Sequence, residues 1–405
     1  MIFDNAIDRS NTNSVKWNKA SIESISANED AKPFWVADMD FPPEPHIKAK
    51  AEELSSLGVF GYPVFNDFTN IASLWLNQKH AWKVEKESIL YTMGLLHGIS
   101  LSINLFTKPG DKILIPSPTY RPFRLLAERN NRIMIDHELG YGNGIFFLDR
   151  ERFEKDVEDA AMILFCSPHN PSGLVFSKDD LEFILNLAKK RNIPVVSDEI
   201  HADLVHDGTL HIPMGKANKD INADCITFMA PSKTFNVAGE HAAIAIFNNS
   251  QMLERFKAAQ LSLWVHEPGY LIGELTQAAY KDGLEYNKQL CSYLTQNANF
   301  IRKYLEEKCP EIVLVNTSAS FVSFLDCSRV YDKIKKHVKA HPDRYNGGKG
   351  GGLLSRFFGV DAGIAMNDGT WFGEQYNNFV RFNYGTSKER IEDALEKITK
   401  AISSL

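Results

Sequence analysis

The 405-residue sequence has little cysteine, no run of basic residues and no apolar stretch long enough to cross a bilayer. The cysteines include no CxxC pair, which argues against a zinc site or a disulfide frame and favours reduced thiols in a cytoplasmic protein. They are Cys166, Cys225, Cys291, Cys309 and Cys327. The net charge of -6 argues against a nucleic-acid binder. The amino terminus has neither a basic nor a long apolar segment, so we expect no signal peptide and no membrane association.

The chain is longer than one hydrophobic core usually supports, so two domains are expected. Up to about residue 45, aromatic residues alternate with polar ones and four prolines disfavour helix, which predicts an extended arm. We predict an arm at 1–45 that joins the small domain, a large domain at 46–285 and a small α+β domain at 286–405.

Short apolar strands alternate with amphipathic helices in the middle of the chain. Predicted strands lie at 112–116, 132–135, 161–165, 193–197 and 225–229. This alternation indicates a mostly parallel α/β sheet with helices on both faces, in which ligands collect at the carboxyl ends of the strands. Three loops at such ends stand out, at 167–173, 198–201 and 232–236. The glycine-rich segment at 346–352 has no phosphate-binding spacing and is predicted to be a mobile surface loop.

The most reactive candidate is Lys233, which directly follows the predicted strand at 225–229. A partly desolvated lysine loses its proton easily, and the free amine can attack a carbonyl. A solvated lysine in a turn is the alternative when the segment is taken alone. Asp198 could likewise be only a helix cap, Asn170 a turn former and Arg381 half of a surface ion pair.

Taken together, the three loops resemble those of the fold-type I pyridoxal-phosphate enzymes, the aspartate aminotransferase superfamily with its class I/II aminotransferases. Finer motifs resemble the cystathionine β-lyase (C–S lyase) subfamily of the MalY/PatB type. They are WVADMDF at 35–41, FGYP at 60–63, CSPHNP at 166–171, SDEIHADL at 197–204 and APSKTFN at 230–236. The resemblance implies a large cofactor domain with a mostly parallel seven-stranded sheet between helices, and a smaller α+β domain.

The resemblance also implies the roles of individual residues. Lys233 would hold pyridoxal 5′-phosphate and remove the substrate Cα proton, Asp198 would pair with the ring nitrogen, and Asn170 would contact the 3′ oxygen. Tyr120 would stack on the ring and belong to the catalytic set. The cofactor set further comprises Gly94, Leu95, Leu96, His201, Ser232 and Tyr62, and the substrate set comprises Arg381, Ala37 and Tyr62. Tyr62 would act from the neighbouring subunit of a homodimer.

The implied reaction is α,β-elimination of L-cystathionine or a related cysteine S-conjugate to pyruvate, ammonia and a thiol. One alternative is an aminotransferase on the same scaffold, and a second is a regulatory protein that contacts a transcription regulator. One position departs from the aspartate aminotransferases, which have a phosphate-binding arginine where this chain has His241. The resemblance therefore leaves open whether His241 contacts the phosphate.

Overall fold

The computed structural model describes residues 2–315 and 317–405. Its α-helices are Lys19–Ser26, Pro45–Leu57, Phe68–His80, Leu95–Phe106, Arg121–Arg129, Arg150–Asp156, Lys178–Arg191, Met214–Ala217, Pro231–Thr234, Ser250–Ser262, Tyr270–Asp282, Leu284–Lys308, Tyr331–Ala340, Leu353–Phe357 and Lys388–Ser403. Among the described residues, no helix is both long and apolar enough to span a membrane.

The largest sheet has seven strands and forms the centre of the molecule. In spatial order they are Ile89–Thr92, Ala243–Phe247, Cys225–Met229, Val195–Asp198, Ala160–Cys166, Lys112–Ser117 and Ile133–Glu138. All neighbouring strands are parallel except Ala243–Phe247, which is antiparallel to both of its neighbours. The predicted fold class is confirmed.

The central strands are buried along almost their whole length because helices cover both faces of the sheet. All five residues of Cys225–Met229 are buried, as are all five of Ala243–Phe247. Helix Lys178–Arg191 on one face begins with a capping box, in which the Ser177 hydroxyl and the Asp180 carboxylate each accept from the other residue's backbone amide. The strand ends that carry polar residues are therefore fixed by a dry, packed layer.

A second, antiparallel sheet forms the carboxyl-terminal part of the protein. Its strands, in spatial order, are Val313–Leu314, Val322–Asp326, Phe379–Asn383 and Asn367–Asp368. The arm contributes strand Lys32–Pro33, which pairs in parallel with Ile364–Ala365. A separate two-stranded hairpin is formed by Gly140–Gly142 and Ile145–Phe147. The domain boundaries at 45 and 285 stay predictions.

Two features of the arm and its surroundings differ from expectation. The arm contains helix Lys19–Ser26, whose first turn is capped by the Asn18 side chain, so the prediction of an arm without helix is wrong there. The glycine segment at 346–352 packs against this helix, and the amide of Gly350 donates to the Ser24 carbonyl at 2.9 Å. A Cβ on Gly351 would lie 1.9 Å from the Ile25 carbonyl oxygen, so close approach of two backbones requires glycine here.

Candidate active site

A cavity of about 220 Å³ lies at the carboxyl ends of the parallel strands. Its wall is made of the loops that follow five strands of the large sheet, together with the arm. The residues that line it are Ala37, Met93, Gly94, Leu95, Leu96, His97, Tyr120, Cys166, Asn170, Asp198, Ile200, His201, Ser232, Lys233, Ala238, Glu240, His241 and Ala242. Ten residues of the predicted site therefore surround one cavity, all of them except Arg381 and Tyr62.

Lys233 enters this cavity from the short helix Pro231–Thr234, which directly follows strand Cys225–Met229. Its Nζ donates a hydrogen bond to the carbonyl oxygen of Ala37, 2.5 Å away. Burial lowers the pKa of Lys233 to about 8, a net value to which the charge of Arg381 contributes in the same direction and the carboxylates of Asp38 and Asp198 in the opposite one. A substantial fraction of this amine is neutral near pH 8, which is the form that attacks a carbonyl.

Asp198 is the last residue of strand Val195–Asp198, which lies next to strand Cys225–Met229 in the sheet. Its carboxylate is buried and accepts from the amide of Ile200 at 2.9 Å. Burial raises the pKa of Asp198 to about 7, although the Ile200 amide and the charge of Lys233 act in the opposite direction. A carboxyl in this setting is poised to ionise when a cation lies against it.

Arg381 stands just behind the cavity wall and joins three separate parts of the chain. Its Nη1 donates to Oδ1 of Asn170 at 3.1 Å, and its Nη2 donates to the carbonyl of Trp35 and to Oδ1 of Asn367, both at 2.7 Å. Its Nε is buried and has no hydrogen-bond partner among the described residues. Burial lowers the pKa of Arg381 to about 10, so the guanidinium stays charged at neutral pH.

A set of backbone amides faces the cavity at the start of helix Leu95–Phe106. Gly94 precedes the helix with φ of +82°, a conformation that favours glycine. The first bond between backbone groups of this turn runs from the Gly98 amide to the Gly94 carbonyl, so the amides of Leu95 and Leu96 have no intrahelical acceptor. Together with the buried Ser232, these amides suit a phosphate group. A Cβ on Gly94 would lie 3.4 Å from Cβ of His241, which places that histidine beside the backbone amides that suit a phosphate.

Two ring side chains complete the wall. Tyr120 directly precedes helix Arg121–Arg129 and packs edge-on against Phe123, and burial raises the pKa of its hydroxyl. The Nδ1 of His201 lies 3.1 Å from the Ser320 hydroxyl. Burial lowers the pKa of His201 to about 3, with the charges of Lys233 and Arg381 adding to the effect, so this imidazole is neutral.

Two predicted site residues, Tyr62 and Ala37, do not make the expected contacts within this chain. Tyr62 is fully exposed and does not line the cavity of its own chain. Ala37 presents its carbonyl oxygen to Lys233, while contact of its amide with a substrate stays a prediction. Residues that the sequence analysis gave no role in the site, such as His97 and Cys166, also line the cavity. His97 directly follows the predicted cofactor residues at 94–96 and Cys166 begins the motif at 166–171, and this proximity is the signal that could have identified them.

Comparisons with known proteins agree with this geometry. The family model for class I and II aminotransferases matches residues 35–398. The chain is 32% identical, over the full length of both proteins, to the cystathionine β-lyase PatB of Bacillus subtilis. The pyridoxal-phosphate-bound C–S lyase of Staphylococcus hominis superposes with a TM-score of 0.86 at 26% identity, covering 99% of this chain and 97% of that one. Cystalysin of Treponema denticola, which contains pyridoxal 5′-phosphate, superposes with a TM-score of 0.88 at 27% identity over the whole of both chains.

The residues present fit that cofactor. The site offers an amine with a lowered pKa for the aldehyde, a buried carboxyl for the ring nitrogen and free backbone amides for the phosphate. Arg381 adds a buried N–H, at Nε, that lacks an acceptor among the described residues. By its motifs, its fold and its similarity from residue 35 to 398, the chain belongs to the pyridoxal-phosphate-dependent class I and II aminotransferase family.

Proposed function

We propose that this protein is a pyridoxal-phosphate-dependent C–S β-lyase that cleaves L-cystathionine or a related cysteine S-conjugate. One observation carries the proposal above the others. The half-buried amine of Lys233 lies in one cavity with Asp198 and Asn170, in a chain that matches a cystathionine β-lyase from end to end. The products would be pyruvate, ammonia and a thiol.

The cofactor would be held by residues from four loops. Lys233 would bind it covalently, Asp198 would pair with the ring nitrogen, and Asn170 would donate to the 3′ oxygen from its amide nitrogen. The further cofactor contacts that we propose are Tyr120, Gly94, Leu95, Leu96, His201 and Ser232, with Tyr62 from the neighbouring subunit. When bound, the cofactor supplies an electron sink for the charge that develops at the substrate Cα.

Lys233 would be the base that removes the Cα proton. Once the substrate amine has taken its place, the freed side chain is a base whose pKa is already lowered by burial, to about 8. It accepts the Cα proton, and the sulfur then leaves from Cβ. The neutral imidazole of His201 adds no positive charge beside this amine, which keeps the lysine basic enough for the task.

Arg381 would bind the substrate α-carboxylate. Its buried Nε has no acceptor among the described residues, and its other nitrogens are fixed by Asn170, Trp35 and Asn367. A guanidinium held by three oxygens cannot swing away, so an incoming carboxylate meets donors that are already oriented. The contact with Asn170 couples the carboxylate site to the cofactor site.

We further propose a cytoplasmic homodimer whose subunits complete each other's sites. The large apolar residues Val59, Phe60, Val64 and Trp264 are more than half exposed, and they lie in the segments around the exposed Tyr62 and at 261–264. A second copy of the chain would cover this surface and bring Tyr62 to the partner's cavity. The five cysteines are free and buried, which suits a reducing compartment.

The experiment that tests the reaction uses purified, cofactor-loaded protein and L-cystathionine. We expect equal amounts of pyruvate and homocysteine, measured by coupled reduction with lactate dehydrogenase and by a thiol reagent. Amino transfer that depends on an added keto acid, with no pyruvate from cystathionine, would replace the lyase with an aminotransferase. Sedimentation of the wild type against Trp264→Ser tests the dimer, which we expect the substitution to weaken.

A further inference from the structure

The residue that follows the lysine is held from behind by a buried carboxylate. The Thr234 hydroxyl donates to Oδ2 of Asp203 at 2.9 Å, and Oδ1 of Asp203 lies 2.8 Å from Nε2 of His80. All three side chains are buried. Burial alone would raise the pKa of Asp203, but the hydrogen bonds from His80 and Thr234 and the charge of His80 bring it below the ordinary value. The carboxylate is therefore charged, with both oxygens occupied.

Asp203 is itself tied to two long helices. Its carbonyl oxygen accepts from Nδ2 of Asn287 at 2.9 Å and from the thiol of Cys291 at 3.2 Å, and both donors lie on helix Leu284–Lys308. Its partner His80 is the last residue of helix Phe68–His80. Because Asp203 is hydrogen-bonded on several sides, its carboxylate has a fixed position to which the turn with Thr234 is bound.

The helical turn that bears Lys233 is too short to keep its orientation without contacts to other parts of the chain. Helix Pro231–Thr234 has four residues, and its closing bond runs from the Phe235 amide to the Pro231 carbonyl. One turn of helix is not stable without tertiary contacts. Thr234 contacts Asp203, and just beyond it the Asn236 amide group donates to the carbonyls of Met39 and Phe41.

The same group of buried side chains also reaches the strand end that carries Asp198. The ring centroids of His80 and His211 lie 5.9 Å apart, edge to face. Nε2 of His211 is 2.8 Å from Oε2 of Glu199, the residue after Asp198. Two buried histidine–carboxylate pairs thus stand next to each other, one behind the lysine and one behind the aspartate.

We propose that Asp203, supported by His80, is a positioning residue for Lys233. Through Thr234 it sets the direction in which the amine enters the cavity, and so the rate at which that amine captures pyridoxal phosphate. The inference rests on the proposed role of Lys233 as the cofactor lysine. A merely structural role would lower the melting temperature without changing capture by the folded protein.

Matched variants of Thr234 test this with apoprotein and free pyridoxal phosphate. Capture joins the Lys233 amine to the aldehyde with release of one water, and its rate is followed by stopped-flow absorbance across pH 7–9. Thr234→Val keeps the shape but removes the hydroxyl, and we expect capture to slow on the order of 10-fold or more. Thr234→Ser keeps the hydroxyl and should stay within about 2-fold of the wild type. Asp203→Ala should match Thr234→Val.

The control is Thr276→Val, because the buried Thr276 hydroxyl has no partner among the described residues. Its capture rate should equal that of the wild type. The inference is overturned if Thr234→Val captures the cofactor at the wild-type rate, whatever its melting temperature, or if Thr276→Val slows capture equally. Should the valine variant not fold, Thr234→Ala against Thr234→Ser decides, since these differ by the hydroxyl alone. A wild type that captures no cofactor at all would instead overturn the proposed function.

Discussion

The half of the candidate site around Lys233 and the half around Arg381, which stands behind the cavity wall, are built in different ways. Lys233 and Asn170 follow strands of the large, mostly parallel sheet and Asp198 ends one, so the sheet itself brings them together. Arg381 lies in the other sheet and reaches partners that are 211, 346 and 14 positions away along the chain. The first half depends on one packed layer, whereas the second depends on how three parts of the molecule meet. Substitutions should therefore affect chemistry in one half and substrate binding in the other.

The largest effect is expected for Lys233→Ala. Without the amine there is neither a covalent link to the cofactor nor a base for the Cα proton, so kcat/KM for cystathionine should fall by about 10⁴-fold or more. Pyruvate release measures the loss, and the cofactor absorbance should no longer show a lysine adduct. Lys303→Ala, on an exposed helix position, is the control and should behave as the wild type. Retained pyruvate formation would remove Lys233 from the mechanism.

Asp198→Asn should come second. An uncharged amide cannot keep the ring nitrogen protonated, and we expect kcat to fall by about 10²-fold or more, measured as pyruvate release. The matched control is Asp220→Asn, at an exposed position with the same change of side chain. Equal activity of the two variants would contradict the role of Asp198.

Although Asp198→Asn should lower activity, it should raise the stability of the apoprotein above neutral pH. The folded pKa of Asp198, about 7, lies above the ordinary value of 3.8, so the stability linked to its proton is present at acid pH and is lost as pH rises through 7. Asp198→Asn removes this loss and should stabilise the apoprotein at pH 8 by up to about 4 kcal/mol. Melting curves should show little difference at pH 4. A variant that is less stable than the wild type at pH 8 would contradict the raised pKa.

Arg381→Lys tests the other half. Lysine keeps the charge, but its donors all lie on one nitrogen and cannot reproduce the planar fork of the guanidinium. We therefore expect kcat/KM to fall by about 10- to 100-fold, mainly through KM. Steady-state kinetics with cystathionine give both constants. Arg124→Lys, at a partly exposed position of helix Arg121–Arg129, is the control. A loss confined to kcat would contradict the division of roles between the two halves.

The smallest effect is expected for Ser320→Ala, which removes the hydroxyl beside Nδ1 of His201. Loss of one neutral hydrogen bond should lower kcat by about 3-fold, measured with cystathionine at saturation. Ser323→Ala is the control, since its buried hydroxyl has no partner among the described residues. Ser320 has φ of +75°, so Ser320→Gly should lose the same activity yet gain stability. A large loss of kcat in both Ser320→Ala and Ser320→Gly would contradict this minor effect and assign His201 a direct chemical role.

The contrast between the halves also explains what the sequence could predict. Each residue of the lysine half belongs to a short motif after an apolar strand, and such local signals survive without tertiary information. Helices Tyr270–Asp282 and Leu284–Lys308 meet at Gly283, a residue type that lowers helix propensity. A Cβ there would lie 2.3 Å from the Phe235 ring and from the Ala279 carbonyl.

What escaped prediction depends on long-range packing or on weaker patterns. Strand Ala243–Phe247 contains alanines and is antiparallel in a parallel sheet, so the alternation of strands and helices does not indicate it. Helix Lys388–Ser403 has the readable spacing Ile391, Leu395 and Ile398 but lies beyond the last motif. The contact of His80 with Asp203 joins residues 123 positions apart, and nothing in either segment encodes it.

The contact between Arg381 and Trp35 imposes an order on the assembly of the protein. All strands of the large sheet lie between residues 89 and 247, so Lys233 and Asp198 can meet while later residues are still being synthesised. Strand Lys32–Pro33 must wait for Ile364–Ala365, and until then Phe34 and Trp35, which are buried in the finished molecule, lack their covering surface. A chain cut short before residue 364 keeps Lys233 but lacks Arg381, the residue that we propose for the substrate carboxylate. Under that proposal, the carboxylate site forms only when the end of the chain has joined the arm.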